Sequence, residues 1–403
     1  MGKHHRNSST ISLVTCLLFA VGCGYTKKAV DRTQEFEHPR TTCSSINLVN
    51  HGYSVFGKNL DNRYTTEGLI LINKRGVERT APYVSTTGAR ARWVSRYASV
   101  NFSFVNVGHV WTGMNEKGLV ISMMGIPEIV SPPPDERPPL QDGLWVQYML
   151  DTCATVEEVL EAAGDVRIMT IDHYHIADRF GQSAAFECLR GEEIFYSGDE
   201  FPVSVLTNST YSDSILDWTA HNESPFYQPN GSLQRFRIAA RRLDEFSSTD
   251  ADSAVEYAFE TLHNIRAEYI NGYPSTTQWS FVFDTKRRRV FFKTYTHPGS
   301  KYFDFRDFNV SCREPIQMLA VQTPLAGDVF PFFQDLTFEA ACDHYRHFVE
   351  SWQGRNPTQG EIENEISYYM NFPCKGLSAP PRRPSGRYAP SGEGEAMPSN
   401  EER

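Results

Sequence analysis

The stretch Cys43-Ser-Ser-Ile-Asn-Leu-Val-Asn-His-Gly-Tyr-Ser-Val-Phe-Gly-Lys-Asn-Leu-Asp61 holds the residue types that nucleophilic chemistry needs. A thiol beside a cation and a carboxylate can be a nucleophile, and Cys43, Lys58 and Asp61 supply the three. The run predicts a strand, a short turn at Asn50-His51-Gly52 and a second strand ending at Asp61. A hairpin returns its second strand to the start of the first, so Lys58 and Asp61 come back toward the cysteine. If the chain were cut before Cys43, the new α-amine would lie next to the thiol and could serve as its base.

The elements that must hold this hairpin are spread along the chain. Short strand-like runs at Ser54–Gly57, Leu69–Asn73, Val100–Val105 and Leu119–Met124 alternate with Gly and Asn turns. Ser131-Pro-Pro-Pro-Asp-Glu-Arg-Pro-Pro139 reads as a stiff surface loop, because successive prolines forbid helix. Trp145 through Ala163 has apolar positions at helical spacing, with Thr155 a fair N-cap before Glu157 and Glu158. Strands resume at His173–Ala177 and Ala184–Leu189, and helices are expected over Ser232–Phe246, Ala251–Arg266 and Phe338–Gly354. Trp279–Phe283 and Val290–Tyr295 read as a hairpin. Strands, paired helices, then strands again suit an α+β arrangement with a two-sheet core.

Hydrophobic residues make up 40% of the 403 and charged residues 22%, enough for a substantial core. The formal charge of −10 argues against nucleic-acid binding, which needs a basic face. Lys3, His4, His5 and Arg6 precede an apolar run from Ile11 to Val21 that is too short to span a bilayer. It ends Ala20-Val21-Gly22-Cys23, which looks like a lipobox with alanine where leucine is usual, so Cys23 is a candidate for lipidation. Residues 1–23 thus read as an export signal and 24–42 as a tether or pro-segment. The folded domain is expected over 43–377, and 378–403, rich in Pro, Gly and Glu, is expected to be disordered. The working place is outside the cytoplasm, in the periplasm, on a membrane's outer face through the lipid, or secreted. Export permits disulfides, and a bridge is expected among Cys312, Cys342 and Cys374, with Cys153 and Cys188 as small core residues.

The blocks around Cys43 resemble the choloylglycine hydrolase and penicillin V acylase branch of the N-terminal nucleophile hydrolases, and within it the linear amide C–N hydrolases. The matching blocks are Cys43…Phe-Gly-Lys-Asn-Leu-Asp61, Leu69-Ile-Leu-Ile-Asn-Lys-Arg-Gly-Val77 and Gly113-Met-Asn-Glu-Lys-Gly-Leu119. Leu150-Asp-Thr-Cys-Ala-Thr-Val-Glu-Glu-Val159, His173-Tyr-His-Ile-Ala-Asp-Arg-Phe-Gly181 and Val203-Ser-Val-Leu-Thr-Asn-Ser209 follow. Leu233-Gln-Arg-Phe236 and Thr277-Gln-Trp-Ser-Phe281 complete an ordered set running from about Cys43 to about His297. The resemblance implies a four-layer αββα sandwich and hydrolysis of small N-acyl amides through an acyl-enzyme thioester, with neither metal nor cofactor.

The same resemblance assigns roles residue by residue. Cys43 is the nucleophile, Asp61 the carboxylate that holds its α-amine, Asn208 the amide that helps hold the tetrahedral oxyanion, and Arg235 the second active-site arginine. Lys58 stands where these hydrolases usually carry arginine; it keeps the point charge and loses the planar fork. A further oxyanion asparagine, or tyrosine in the acylases, falls at Gly125, so that contribution must come from elsewhere. The segment from Asn208 to Arg235 is much shorter than in bile-salt hydrolases. His173 and His175 would share one face of a strand, where ordinary core roles explain them. Two other readings use the same residues: a noncatalytic exported lipoprotein that keeps the fold as a binding module, and an acyltransferase working through the same acyl-enzyme.

Overall fold

A computed structural model describes residues 42–376 apart from 51–52, 63–65, 223–230, 249, 268, 271–272 and 275. The signal, the candidate lipidation site Cys23, the tether, the centre of the first hairpin's turn and the C-terminal tail lie outside the described residues.

Two mainly antiparallel sheets carry the molecule. The first has seven strands in the order Val205–Leu206, Thr42–Asn50, Tyr53–Asn62, Thr276–Asp284, Arg289–Thr294, Lys301–Asp304 and Gly327–Asp328. Its centre is therefore the Cys43 hairpin and the Thr276–Thr294 hairpin, side by side. The second has nine strands, with Asp172–Ala177, Val120–Gly125, Thr112–Asn115 and Ser99–Ser103 in its middle. The inner faces meet through aromatic side chains: Phe102 lies 3.8 Å from Phe281 and 5.7 Å from Phe283, ring centroid to centroid. Burying such rings between sheets is the largest apolar gain the sequence offers, which accounts for much of its phenylalanine.

Helices close the outer faces. Gly231–Glu245 and Ala251–Asn264 pack on the seven-stranded sheet, and Asp142–Thr152 packs on the nine-stranded one. The resulting order of layers is αββα. The run with helical spacing from Trp145 to Ala163 forms two helices, Asp142–Thr152 and Val156–Ala163, separated at Cys153. Thr155 caps the second, accepting from the Glu158 N–H as its position predicts. Leu69–Asn73 is buried on both sides: Ile70 and Ile72 enter the central core, while Leu69 and Leu71 meet a second cluster under the C-terminal helices. Those helices are Phe338–Gln353, which ends at Gly354 in the left-handed region (φ 62°), and Gln359–Met370. The latter, and the helix Tyr211–His221, carry too weak a sequence period to be read in advance.

The Cys312–Cys374 disulfide ties this C-terminal extension back to the body. Lys375 and Gly376 add hydrogen bonds to the Gly76 carbonyl. Cys342, the third cysteine of that expectation, is buried and outside any disulfide, and Cys153 and Cys188 are buried as well.

Candidate active site

Strand register decides what each residue of the first hairpin can reach. Thr42 pairs with Asp61, Cys43 with Leu60 and Ser45 with Lys58. Side chains alternate, so Cys43, Ser45, Lys58 and Leu60 share one face and Ser44, Asn59 and Asp61 the other. The hydrogen bonds say which face is which. Ser45 Oγ meets His175 Nδ1 of the opposing sheet at 2.8 Å, and Lys58 Nζ donates to the Met123 carbonyl there at 3.0 Å. On the other side Ser44 Oγ receives Arg235 from the helical layer, and Asn59 Nδ2 donates to the Leu262 carbonyl. The thiol and its cation therefore lie between the sheets, while Asp61 lies on the helix side of the same hairpin.

Arg235 and Asn208 close the gap between these faces by holding the Cys43 backbone. Arg235 Nη1 donates to the Cys43 carbonyl (2.5 Å) and to Ser44 Oγ (2.6 Å), and stands 4.0 Å from the Asp61 carboxylate. Its Nη2 donates to Asn208 Oδ1 at 2.9 Å. The Cys43 N–H donates to the same Oδ1 at 2.7 Å. Arginine offers only donors, so this network fixes the orientation of the Asn208 amide. Asn208 Nδ2 then points to the Gly125 carbonyl, 2.7 Å away, with its second hydrogen left over among the described residues.

Asp61 is held from three sides. Thr277 Oγ1 donates to Oδ1 at 2.5 Å, Thr42 Oγ1 lies 3.4 Å from Oδ2, and the Ala267 N–H also donates. The carboxylate therefore sits beside the peptide bond that joins Thr42 to Cys43. Thr277 belongs to a sequence block already noted, yet its service to Asp61 follows only from the pairing of Thr276–Asp284 with the hairpin. Asn59 is structural, bridging Leu262 and Ser280. Arg237, on the same helix as Arg235, is buried as well but donates to the His221 carbonyl. His173 pairs with Glu187, and His175 links Ser45 to Ser204, so both histidines serve the packing of their strand.

All five residues singled out from the sequence thus converge; Cys43, Lys58, Asp61 and Arg235 are buried and Asn208 is half-buried. Burial pushes the Cys43 thiol up, opposed first by Lys58; Asp61 adds to the rise and Arg235 offsets it. Burial lowers the Lys58 ammonium, with the Cys43 thiol its foremost opposing partner. Asp61 is pushed up by burial against Arg235, Thr277 and Lys58. In the uncut chain, then, the thiol is sealed and the nitrogen next to it is an amide. The arrangement can support a thiolate only if a base appears and solvent or substrate gains access.

The model of the linear amide C–N hydrolases, choloylglycine hydrolase family, matches residues 43–249, from the cysteine through Arg235. The chain belongs to this family. It is accordingly a hydrolase of carbon–nitrogen bonds in linear amides, in a family that acts on small N-acyl amides. It is 24% identical to the penicillin V acylase of Pectobacterium atrosepticum over 266 residues, 55% of this chain and 69% of that one. Among solved structures, penicillin V acylase from Agrobacterium tumefaciens superposes with a TM-score of 0.64 at 24% identity, covering 73% of this chain and 98% of its own. A mutant of the conjugated bile acid hydrolase from Clostridium perfringens gives 0.59 at 17% identity, with 71% and 98% covered. These likenesses identify the αββα sandwich as the N-terminal nucleophile hydrolase fold of the family.

Proposed function

We propose that the chain is cut between Thr42 and Cys43 and that the freed Cys43 hydrolyses N-acyl amides as an N-terminal nucleophile. The observation that carries this reading is the convergence of Lys58, Asp61, Asn208 and Arg235 on the thiol, the N–H and the carbonyl of one residue, Cys43. No other cysteine of the described residues is so surrounded.

The α-amine, with an ordinary pKa of about 8, takes the thiol proton. Lys58 faces the resulting thiolate, and Asp61 and Arg235 orient the amine and the Cys43 backbone. The thiolate attacks the amide carbonyl carbon, and the spare Nδ2 hydrogen of Asn208 meets the oxyanion. Collapse breaks the carbon–nitrogen bond, and the α-ammonium returns the proton to the departing amine. Water then attacks the thioester with the α-amine again as base, releasing the acid and restoring the thiol.

Cys43→Ala and Cys43→Ser in processed protein, assayed on N-acyl 4-nitroanilides of graded acyl length, test the assignment. Loss of turnover with an unchanged circular dichroism spectrum is expected; amidase activity equal to the parent's would overturn it. The reading extends to place: the leader argues for export and lipidation at Cys23, and the Cys312–Cys374 bridge supports an oxidising compartment.

A further inference from the structure

Asn208 belongs to neither a strand nor a helix, so its neighbours must hold it in place. The strand Val205–Leu206 ends just before Thr207, paired with Ser45 and Ile46 of the first hairpin. The helix Tyr211–His221 begins beyond it, with the Tyr211 N–H on the buried Glu187 carboxylate at 2.9 Å. Between these fixed ends, the two residues that flank Asn208 both reach Ser232, in the first turn of the helix that carries Arg235. Ser209 Oγ lies 2.8 Å from Ser232 Oγ, which lies 2.8 Å from Thr207 Oγ1, which in turn lies 3.1 Å from the Ser232 carbonyl. A hydroxyl has one hydrogen to give, and a carbonyl only accepts. The donor order follows: Ser209 to Ser232, Ser232 to Thr207, and Thr207 to the Ser232 carbonyl. Hydroxyls chained in one direction polarise one another, so each contact strengthens the next.

We propose that Ser232 is a positioning residue, which aims the Asn208 amide at the oxyanion by clamping the chain on both sides of it. The proposal rests on the Cys43 reading above and deepens it. Ser232 and Arg235 stand one helical turn apart and so lie on the same face of their helix. That face holds Asn208 twice: Ser232 grips Thr207 and Ser209, and Arg235 Nη2 donates to Asn208 Oδ1 at 2.9 Å. The two residues that hold the Cys43 backbone, Asn208 and Arg235, are thereby locked to each other as well. Asn208 Nδ2 keeps its direction toward the Gly125 carbonyl, and its second hydrogen keeps its direction toward the developing charge. An oxyanion donor works because it is aimed before the reaction, and a misplacement of about 1 Å can cost about 10²-fold.

The test is kcat and KM on an N-acyl 4-nitroanilide for processed parent, Ser232→Ala, Asn208→Ala and the variant carrying both changes, with Cys43→Ala as control. Ser232→Ala breaks the hydroxyl chain at its centre and should lower kcat about 10- to 100-fold, with KM within about twofold of the parent's. Because Ser232 acts through Asn208, the double variant should match Asn208→Ala within about twofold. A Ser232→Ala kcat within about threefold of the parent's would overturn the proposal, as would a change confined to KM. So would a double variant whose loss is the product of the two single losses, since Ser232 would then act on something other than Asn208. Thr207→Val breaks the same chain at its last link, keeps the shape of a buried side chain and should lower kcat to a similar extent. Should Ser232→Ala fail to fold or to be processed, Thr207→Val and its combination with Asn208→Ala decide by the same criteria. Activity in Cys43→Ala would instead overturn the underlying reading.

Discussion

Lys58→Met removes the cation that shares a face with the thiol while nearly keeping side-chain volume. Both groups are buried, so solvent screening is small. Opposite unit charges about 4 Å apart at an effective dielectric of about 20 attract by about 4 kcal/mol. At about 1.4 kcal/mol per pKa unit, the thiol of processed protein should rise by about three units. A more basic thiolate is intrinsically more nucleophilic, with a Brønsted slope of about 0.4–0.5, so about half of the lost population is recovered in reactivity. The expected fall in kcat/KM is therefore roughly 30- to 60-fold. The assay is iodoacetamide alkylation of Cys43 against pH, followed by intact mass, with kcat/KM on an N-acyl 4-nitroanilide measured in parallel. Lys58→Arg keeps the charge and should retain most activity, whereas Lys58→Ala should behave like the methionine variant. Stability in urea should hold or rise in Lys58→Met, since a desolvated ammonium is replaced by an apolar chain. An unshifted alkylation pKa, or equal losses in Lys58→Arg and Lys58→Ala, would refute a mainly electrostatic role.

Other expectations follow from the same contacts. Asn208→Ala should lower kcat about 10²- to 10³-fold with little change in KM, because it removes the spare amide hydrogen; a change confined to KM would assign Asn208 to substrate binding. Asp151 is buried against Arg79 Nε (3.0 Å) and Trp93 Nε1 (2.7 Å). Asp151→Ala strands the buried guanidinium, which should cost about 3–5 kcal/mol in urea unfolding at pH 7, and a loss below about 1 kcal/mol would contradict that role. The raised pKa of Asp151, about 6, means the folded state holds its proton after the unfolded state has released it. Its contribution to stability should therefore decline as pH rises from about 4 to 6, a slope that urea titrations of the parent and Asp151→Asn would compare. Cys374→Ser opens a bridge spanning 62 residues and should lower stability by about 2–5 kcal/mol, with reductant affecting only the parent.

The sequence discloses the parts of the site that are local. Cys43 and Lys58 could be placed together because one hairpin contains both and its register follows from strand alternation. That same alternation puts Asp61 on the opposite face, a parity that matters only once a helical layer is seen to cover it. Asn208 and Arg235 come from far along the chain, and only resemblance to a family could bring them to Cys43 before the fold did. Thr277 is a short polar residue on a strand; its neighbour is set by cross-strand pairing with Asp61, which no local pattern encodes. Helix Ala251–Asn264 was legible through its apolar period and ends close to where that period fades, whereas Tyr211–His221 buries only three side chains and left little trace. Of the three C-terminal cysteines, which two pair depends on Val77 bridging to Cys374, a contact between distant segments.

The most direct test of the account is N-terminal sequencing with intact mass of active protein purified from an export-competent host. The account requires a new terminus at Cys43, coincident with the onset of amidase activity. Full activity in protein whose chain still begins upstream of Thr42 would contradict it, because the α-amine that serves as base would not exist.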